Sequence, residues 1–270
     1  MIIVAGLNHK SAPVEIREKL AFDEHETLMA LKLLKNRFAG AEFVLLATCN
    51  RIELYCATGI SSEITPEMLI AFLAEFHKVP VQDFRDLLYV HKDEHAVRHL
   101  LTVASSLDSM VVGEGQIIGQ VKQSYHLACT AKSTGRILNR LFHFAFSTAK
   151  KVYTNTSIAS GRVSVAGVAV ELASQLFADI ASAKVVVIGA GKMGELFVQH
   201  LQHAGCSDIT IVNRSYDRAL NIAGQYKIKA EKWEELEPLL GQAGIAIASA
   251  EVQDHLFRKE SIESVMKSHR

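Results

Sequence analysis

The stretch that most restricts the fold is Lys184-Val185-Val186-Val187-Ile188, followed at once by Gly189-Ala190-Gly191-Lys192-Met193-Gly194. An apolar run without alternation suits a strand buried on both faces, as in a parallel sheet covered by helices. A glycine-rich turn leading from such a strand into a helix opens a βαβ unit. In it Gly189 permits the tight turn, Gly191 lets a pyrophosphate approach the backbone, and Gly194 allows close packing of helix on strand. The bound anion would sit on the helix N-terminus. A second strand over 208–212, a helix over about 216–226 and an apolar strand over 245–248 continue a doubly wound pattern. About four strands precede Arg270, where about six are usual. The sequence therefore reads as a piece of a longer protein.

The end of the second strand bears on the cofactor. An NAD site usually places a carboxylate there for the ribose hydroxyls; this chain has Asn213-Arg214-Ser215. With no carboxylate to repel a 2′-phosphate and Arg214 able to pair with it, the pattern favours NADP. A solvated surface arginine is the competing reading of Arg214.

The first half is built differently. Residues 2–7 form an apolar strand. Asp23 with Glu26 makes a capping box, and Leu28, Leu31, Leu34 and Phe38 follow at helical spacing. Two strands flank Thr48-Cys49-Asn50-Arg51, which predicts a hairpin turn. Thr65-Pro66 starts a helix, and residues 87–90 form a fourth strand. Strand, helix, strand, strand, helix, strand is the ferredoxin-like split pattern. Residues 93–153 then turn helical, with Asp93 as the cap of the first helix, a break at Gly113-Glu114-Gly115 and a polar linker over 154–157. The expected architecture is α/β: a ferredoxin-like α+β catalytic domain with added helices over 1–154, then a Rossmann-type doubly wound parallel-sheet domain over 155–270.

A cysteine displayed on a hairpin turn, two residues from an arginine, can act as a nucleophile, because a nearby guanidinium favours the reactive thiolate. A buried cysteine ending a strand is the competing reading of Cys49. His99 lies off the apolar stripe of its helix and could serve as an acid or base; a surface histidine is the alternative. Ser109, Glu114, Gln116 and Gln120 cluster at a helix-to-helix break, suited either to a small polar substrate or to ordinary capping. His9 and Lys10, after the first strand, are equally ambiguous. Trp233 and the Phe142, Phe144, Phe146 run read as packing residues.

Composition bounds the rest. The 270 residues carry 29 Lys+Arg and 29 Asp+Glu, a net charge of zero. Binding to nucleic acid must then be local and shape-driven. The four cysteines show no zinc-ligand or disulfide-framework spacing, so no metal is expected. No apolar stretch reaches membrane-spanning length. Together these suggest a reduced, cytoplasmic protein.

These pieces occur together in one family. The chain resembles glutamyl-tRNA reductase through residues 6–14 with Arg17-Glu18, Thr48-Cys49-Asn50-Arg51, residues 104–109, Gly113 to Lys122, Ser164-Val165 with residues 170–173, and Gly189 to Gly194 with Asn213-Arg214. The resemblance implies that Cys49 attacks the ester of glutamyl-tRNA(Glu) and that NADPH reduces the resulting thioester to glutamate-1-semialdehyde, the first step of tetrapyrrole synthesis from glutamate. It implies a glutamate pocket of Thr48, Asn50, Arg51, Ser109, Glu114, Gly115, Gln116 and Gln120, with Arg51 on the substrate γ-carboxylate and His99 required for full activity. The cofactor would lie on Gly189, Ala190, Gly191, Lys192, Met193, Gly194, Asn213, Arg214 and Ser215. Further expectations are a homodimer for the full-length protein, formed by a C-terminal domain absent here, and glutamate-1-semialdehyde aminomutase as a partner. Two departures stand out: Gly115, where many members have proline, and Glu251 in a turn that the family makes small. A shikimate-type dehydrogenase would share the Asn-Arg strand end but leaves Cys49 and residues 113–122 unexplained.

Overall fold

The computed structural model describes residues 1–59, 64–159, 164–177, 179–250, 256–259, 262, 263 and 265. Glu251 and its neighbours through His255 lie outside them. The chain divides into two compact units, Met1–Val163 and Ser164–Arg270.

In the first unit the order is β1 (Ile2–Asn8), α1 (Val14–Lys19), α2 (Glu24–Arg37), β2 (Glu42–Thr48), β3 (Arg51–Ala57), α3 (Pro66–His77), β4 (Tyr89–Lys92), α4 (Asp93–Ala104), α5 (Gln116–Thr130) and α6 (Arg136–Asn155). The sheet runs β2-β3-β1-β4 and every pairing is antiparallel. That is the ferredoxin-like strand order, with α4 to α6 added.

Local chemistry explains the elements. Asp23 and Glu26 close the capping box at the start of α2 in both directions. Pro66 occupies the first turn of α3, where its missing N–H costs nothing. Gly6 has no room for a side chain: a Cβ would meet the Ile52 carbonyl at 2.6 Å. The core is the sheet's Ile3, Val4, Phe43, Leu45 and Leu54 packed against the apolar faces of the helices.

Three local expectations needed revision. Asp93 does not cap α4; its carboxylate accepts from the Ile2 N–H at 2.8 Å, tying the helix start to the first residue of β1. The fourth strand begins at Tyr89, because residues 85–87 coil into a 3₁₀ turn. Helix α6 continues through Asn155, so the polar segment 154–157 is in part its last turn.

The second unit contains α7 (Val165–Leu176), β5 (Val185–Ile188), α8 (Lys192–His203), β6 (Ile209–Val212), α9 (Tyr216–Tyr226), β7 (Lys229–Glu231), α10 (Leu236–Leu240) and β8 (Ile245–Ala248). Its sheet order is β7-β6-β5-β8, all parallel. That is half of a doubly wound dinucleotide fold, with the direction of winding reversing between β5 and β8. The three-residue β7 escaped the sequence reading, because Lys229-Ala230-Glu231 has neither length nor apolar character.

Candidate functional sites

Register alone places Cys49. Thr48 pairs with Arg51 across the β2–β3 hairpin, so Cys49 and Asn50 form its two-residue tip. The Thr48 hydroxyl accepts from the backbone N–H groups of Asn50 and Arg51, at 3.2 and 3.1 Å, which fixes the turn. Cys49 is exposed, whereas Cys56 on the same hairpin is buried. The buried-cysteine reading therefore fails at position 49.

The cation acting on the thiol is not the one expected. The Arg17 guanidinium donates to the Cys49 carbonyl and to the Asn50 side chain, and its charge favours the Cys49 thiolate. Arg51, two residues away in sequence, turns inward and is only 1 % exposed. Crowding around the thiol and the nearby Glu114 carboxylate outweigh Arg17 and a local backbone hydrogen bond, so the Cys49 pKa lies above the ordinary thiol value. Cys56 is pushed up to about 12, chiefly by burial.

Arg51, Glu53 and Tyr55 alternate along β3 and so share one face of the sheet, all buried. The Arg51 guanidinium bonds Glu53 at 2.6 Å and, on its other nitrogen, the Asp108 carboxylate at 3.1 Å and the Asp108 backbone carbonyl. Glu53 also accepts from the hydroxyls of Tyr55 and Tyr89, both at 2.5 Å, and stands 2.9 Å from His99 Nε2. Burial would raise the Glu53 pKa, but His99, Arg51 and Tyr55 hold it far below the carboxylate range. An ionised carboxylate can only accept, so the His99 proton is on Nε2. The other ring nitrogen, Nδ1, is not the one facing Glu53.

Asp108 is held by Lys10 at 2.6 Å and by Asn8 at 3.2 Å as well as by Arg51. The His9 backbone N–H donates to the Asn50 carbonyl at 2.9 Å. The loop after β1 is thus fastened to both the cysteine turn and the end of α4. Ser109 and Glu114 are both buried, and the Ser109 hydroxyl bonds the Glu114 carboxyl. Burial raises the Glu114 pKa above its ordinary value, against the pull of Ser109 and Arg51. Gly115 and Gln116 are exposed at the start of α5. Gln120, one turn on, lines a cavity of about 180 Å³ with Ala47, beside Thr48.

The fold therefore gathers Thr48, Asn50, Arg51, His99, Ser109 and Glu114 around one hairpin end. It adds Lys10, Arg17, Glu53 and Asp108, which sequence reasoning had not assigned. The available signal was the spacing of Arg51, Glu53 and Tyr55: charged residues two apart on an otherwise apolar strand imply a buried pair.

The glycine turn of the second unit fits a dinucleotide on its own geometry. Gly189 has φ +110°, and a Cβ there would press on Ser249 and Ala250. A Cβ on Gly194 would run into the Gly189 carbonyl, whereas one on Gly191 would point into open space. That openness is what a pyrophosphate approaching the start of α8 needs. Asn213 Oδ1 accepts the Ala190 N–H at 3.1 Å, joining the turn to the end of β6. Arg214 is exposed and lies 5.5 Å over the Trp233 ring, a cation–π contact that holds the guanidinium beside that strand end. Trp233 therefore does more than pack. Lys192, Met193 and Ser215 complete the expected set, at the starts of α8 and α9.

Comparison with known proteins agrees with this geometry. Residues 5–156, more than half the chain, match the family model described as the N-terminal domain of glutamyl-tRNAGlu reductase. The chain belongs to the glutamyl-tRNA reductase family. Residues 171–270 match the model for shikimate / quinate 5-dehydrogenase, which implies a nicotinamide cofactor for the second unit. Among curated glutamyl-tRNA reductases, that of Geobacter sulfurreducens is 43 % identical over 268 residues and that of Geotalea daltonii 44 % over 267. In both cases the match covers 98 % of this chain and 61 % of the relative, so the chain spans about three-fifths of their length. The solved glutamyl-tRNA reductase from Methanopyrus kandleri aligns with a TM-score of 0.57 at 28 % identity, over 98 % of this chain and 62 % of that one. Family membership extends over both units. Among the described residues no helix is long and apolar enough to cross a membrane.

Proposed function

We propose that this chain carries the catalytic and cofactor-binding parts of an NADPH-dependent reduction of glutamyl-tRNA(Glu) to glutamate-1-semialdehyde, through a thioester on Cys49. The observation that carries it is an exposed thiol at a hairpin tip braced by Arg17, beside a buried charge network that ends in His99. The Cys49 sulfur attacks the ester carbonyl and the ester carbon–oxygen bond breaks; the proton given up by the thiol goes to the leaving oxygen, so the tRNA departs with its 3′ hydroxyl and glutamate stays as a thioester. The ester is already activated, so the step needs no ATP. When bound, NADPH would supply a hydride to the thioester carbonyl, so that breaking the carbon–sulfur bond would release the aldehyde and restore the Cys49 thiolate.

The residues divide the work. Because the Cys49 pKa is raised, the thiol gives up its proton as it attacks, and His99 is the group proposed to relay that proton or to orient the substrate. Arg51 is proposed to receive the substrate γ-carboxylate. Asp108 can be retained by Lys10 and Asn8 while Arg51 changes partner, so the exchange strands no buried charge. Thr48, Asn50, Ser109, Glu114, Gly115, Gln116 and Gln120 line the glutamate site in this reading. Arg214, with no carboxylate beside it in Asn213-Arg214-Ser215, supports NADPH over NADH. Homodimerisation of the complete protein, hand-over of product to glutamate-1-semialdehyde aminomutase and a cytoplasmic setting are proposals that rest on the resemblance.

Mass spectrometry after incubation with charged tRNA, without NADPH, tests the reading. A glutamyl adduct is expected on Cys49 and is expected to vanish in Cys49→Ser. An adduct on Cys56 or Cys129, or none in the wild type, would sink it.

A further inference from the structure

Zero net charge requires any RNA contact to be local, and α6 offers one such place. Its sequence contains Arg136, Arg140, Lys150 and Lys151 and no Asp or Glu. At 100° per residue, Arg136, Arg140, His143, Phe144, Ser147, Lys150, Lys151 and Thr154 fall within about 120° of helix surface. Every one of them is exposed. Leu138, Leu141, Phe142, Ala145 and Ala149, on the opposite side, are buried, and Phe142 packs on Tyr55 of the sheet. Among the described residues none of the four cations has a salt-bridge partner, unlike Arg37 with Glu75 and Arg98 with Glu94. At the helix N-terminus the Glu42 carboxylate is occupied by the backbone N–H groups of Ile137 and Leu138, at 3.0 and 2.7 Å. Phe144 was expected to pack; instead it stands 57 % exposed within the stripe.

The stripe also has a direction. Its N-terminal end lies at Glu42, the far end of β2 from the cysteine turn. Its C-terminal end reaches the catalytic side, where the Tyr153 hydroxyl donates to the Glu114 backbone carbonyl at 3.1 Å. Twenty residues span about 30 Å, comparable to a full turn of double-stranded RNA. Duplex RNA is recognised mainly by shape and backbone contacts, and phosphates favour unpaired cations at regular intervals.

We propose that the exposed face of α6 is the surface that holds the acceptor arm of the tRNA, with Lys150 and Lys151 nearest the charged 3′ end and Arg136 and Arg140 farthest from it. The proposal rests on the reading of charged tRNA as substrate. Arg136, Arg140, Lys150 and Lys151 grip phosphates without regard to sequence, and Phe144 lies against the sugar–phosphate edge. The surface supplies affinity and alignment, while the pocket around Cys49 recognises the amino acid.

The test compares wild type with a variant combining Arg136→Gln, Arg140→Gln, Lys150→Gln and Lys151→Gln. Affinity for charged tRNA is measured from 50 to 200 mM salt, and capture on Cys49 is measured with 3′-O-glutamyl adenosine, an ester with no acceptor arm. The variant should bind charged tRNA at least about tenfold more weakly, with a log–log salt slope shallower by about 2 to 4. Its capture from the adenosine ester should equal that of wild type, which also verifies that the unit is folded. The single variants Arg140→Gln and Lys151→Gln should each weaken tRNA binding by about two- to fivefold. Unchanged tRNA affinity and slope would overturn the proposal, as would an equal loss with both esters. A wild type that binds tRNA through these residues yet forms no adduct on Cys49 would uphold the surface and overturn the enzymatic reading.

Discussion

Replacing Glu53 by leucine removes the hub of the buried network and leaves the Arg51 guanidinium with Asp108 as its remaining carboxylate. Glu53 is 0 % exposed and takes four side-chain donors: Arg51, Tyr55, Tyr89 and His99. Breaking a buried ion pair by deleting one partner costs about 3–5 kcal/mol, because the other charge is left without compensation. Asp108 keeps part of the pairing, which points to the lower half of that range, about 3 kcal/mol. Two stranded tyrosine hydroxyls add about 1 kcal/mol each, and the Leu side chain recovers some of it by apolar packing. A net loss of about 4 kcal/mol corresponds to a fall in Tm of about 8–16 °C for a unit of this size. Calorimetry or circular dichroism of the chain measures it, followed through the transition of the first unit. Adding Arg51→Met should restore at least about 2 kcal/mol, since a pair replaced by apolar residues is far less costly than a broken one. The pH dependence has a definite sign. The folded-state pKa of Glu53 is depressed, so its stabilisation is complete above about pH 4.3, its unfolded value, and drains away as pH falls toward the folded value. Glu53→Gln should therefore flatten the acid limb of the stability curve. Strict additivity of the two single substitutions, or a Glu53→Leu protein within 0.5 kcal/mol of wild type, would refute the account of this network as a coupled buried pair.

Alkylation of Cys49 by iodoacetamide, read on its own peptide by mass spectrometry, should have its midpoint at higher pH than an ordinary thiol. Arg17→Ala should move that midpoint up, by removing a charge that favours thiolate, and Glu114→Gln should move it down; shifts of the opposite sign would contradict the electrostatics. Gly194→Ala should abolish NADPH binding and destabilise the second unit by at least about 2 kcal/mol, because the added carbon runs into the Gly189 carbonyl; fluorescence titration with NADPH checks it, and near-normal binding would disprove the packing argument. Arg214→Ala should weaken NADPH by about tenfold or more while sparing NADH, and equal losses would argue against a 2′-phosphate role for the stacked guanidinium.

The strand–glycine–helix segment was legible because each of its residues is constrained locally: β-branched residues before, glycines at a turn, a helix after. The hairpin at Cys49 was legible for a similar reason, two apolar strands separated by a tetrapeptide. What was not legible were the partners. Arg51 reads in sequence as the activating cation, but strand alternation sends it to the sheet's buried face with Glu53 and Tyr55, and Arg17, thirty-two residues upstream of the thiol, takes that place from α1. Asp93 reads as a cap, yet its carboxylate accepts from Ile2 at the start of β1. Phe144 reads as packing, yet helical phase leaves it exposed between cations.

Sequence by itself determined the two kinds of sheet, the glycine turn with its uncharged strand end, and the thiol at the hairpin tip, because these depend on short-range sterics and on periodicities of two and 3.6 residues. Only the tertiary structure decided which charges meet. The Glu53 hub, the Lys10–Asp108–Arg51 chain and the bracing of Cys49 by Arg17 join residues up to about a hundred positions apart. Coulombic partners are chosen by distance and burial after the chain has packed, and neither quantity is written in local sequence.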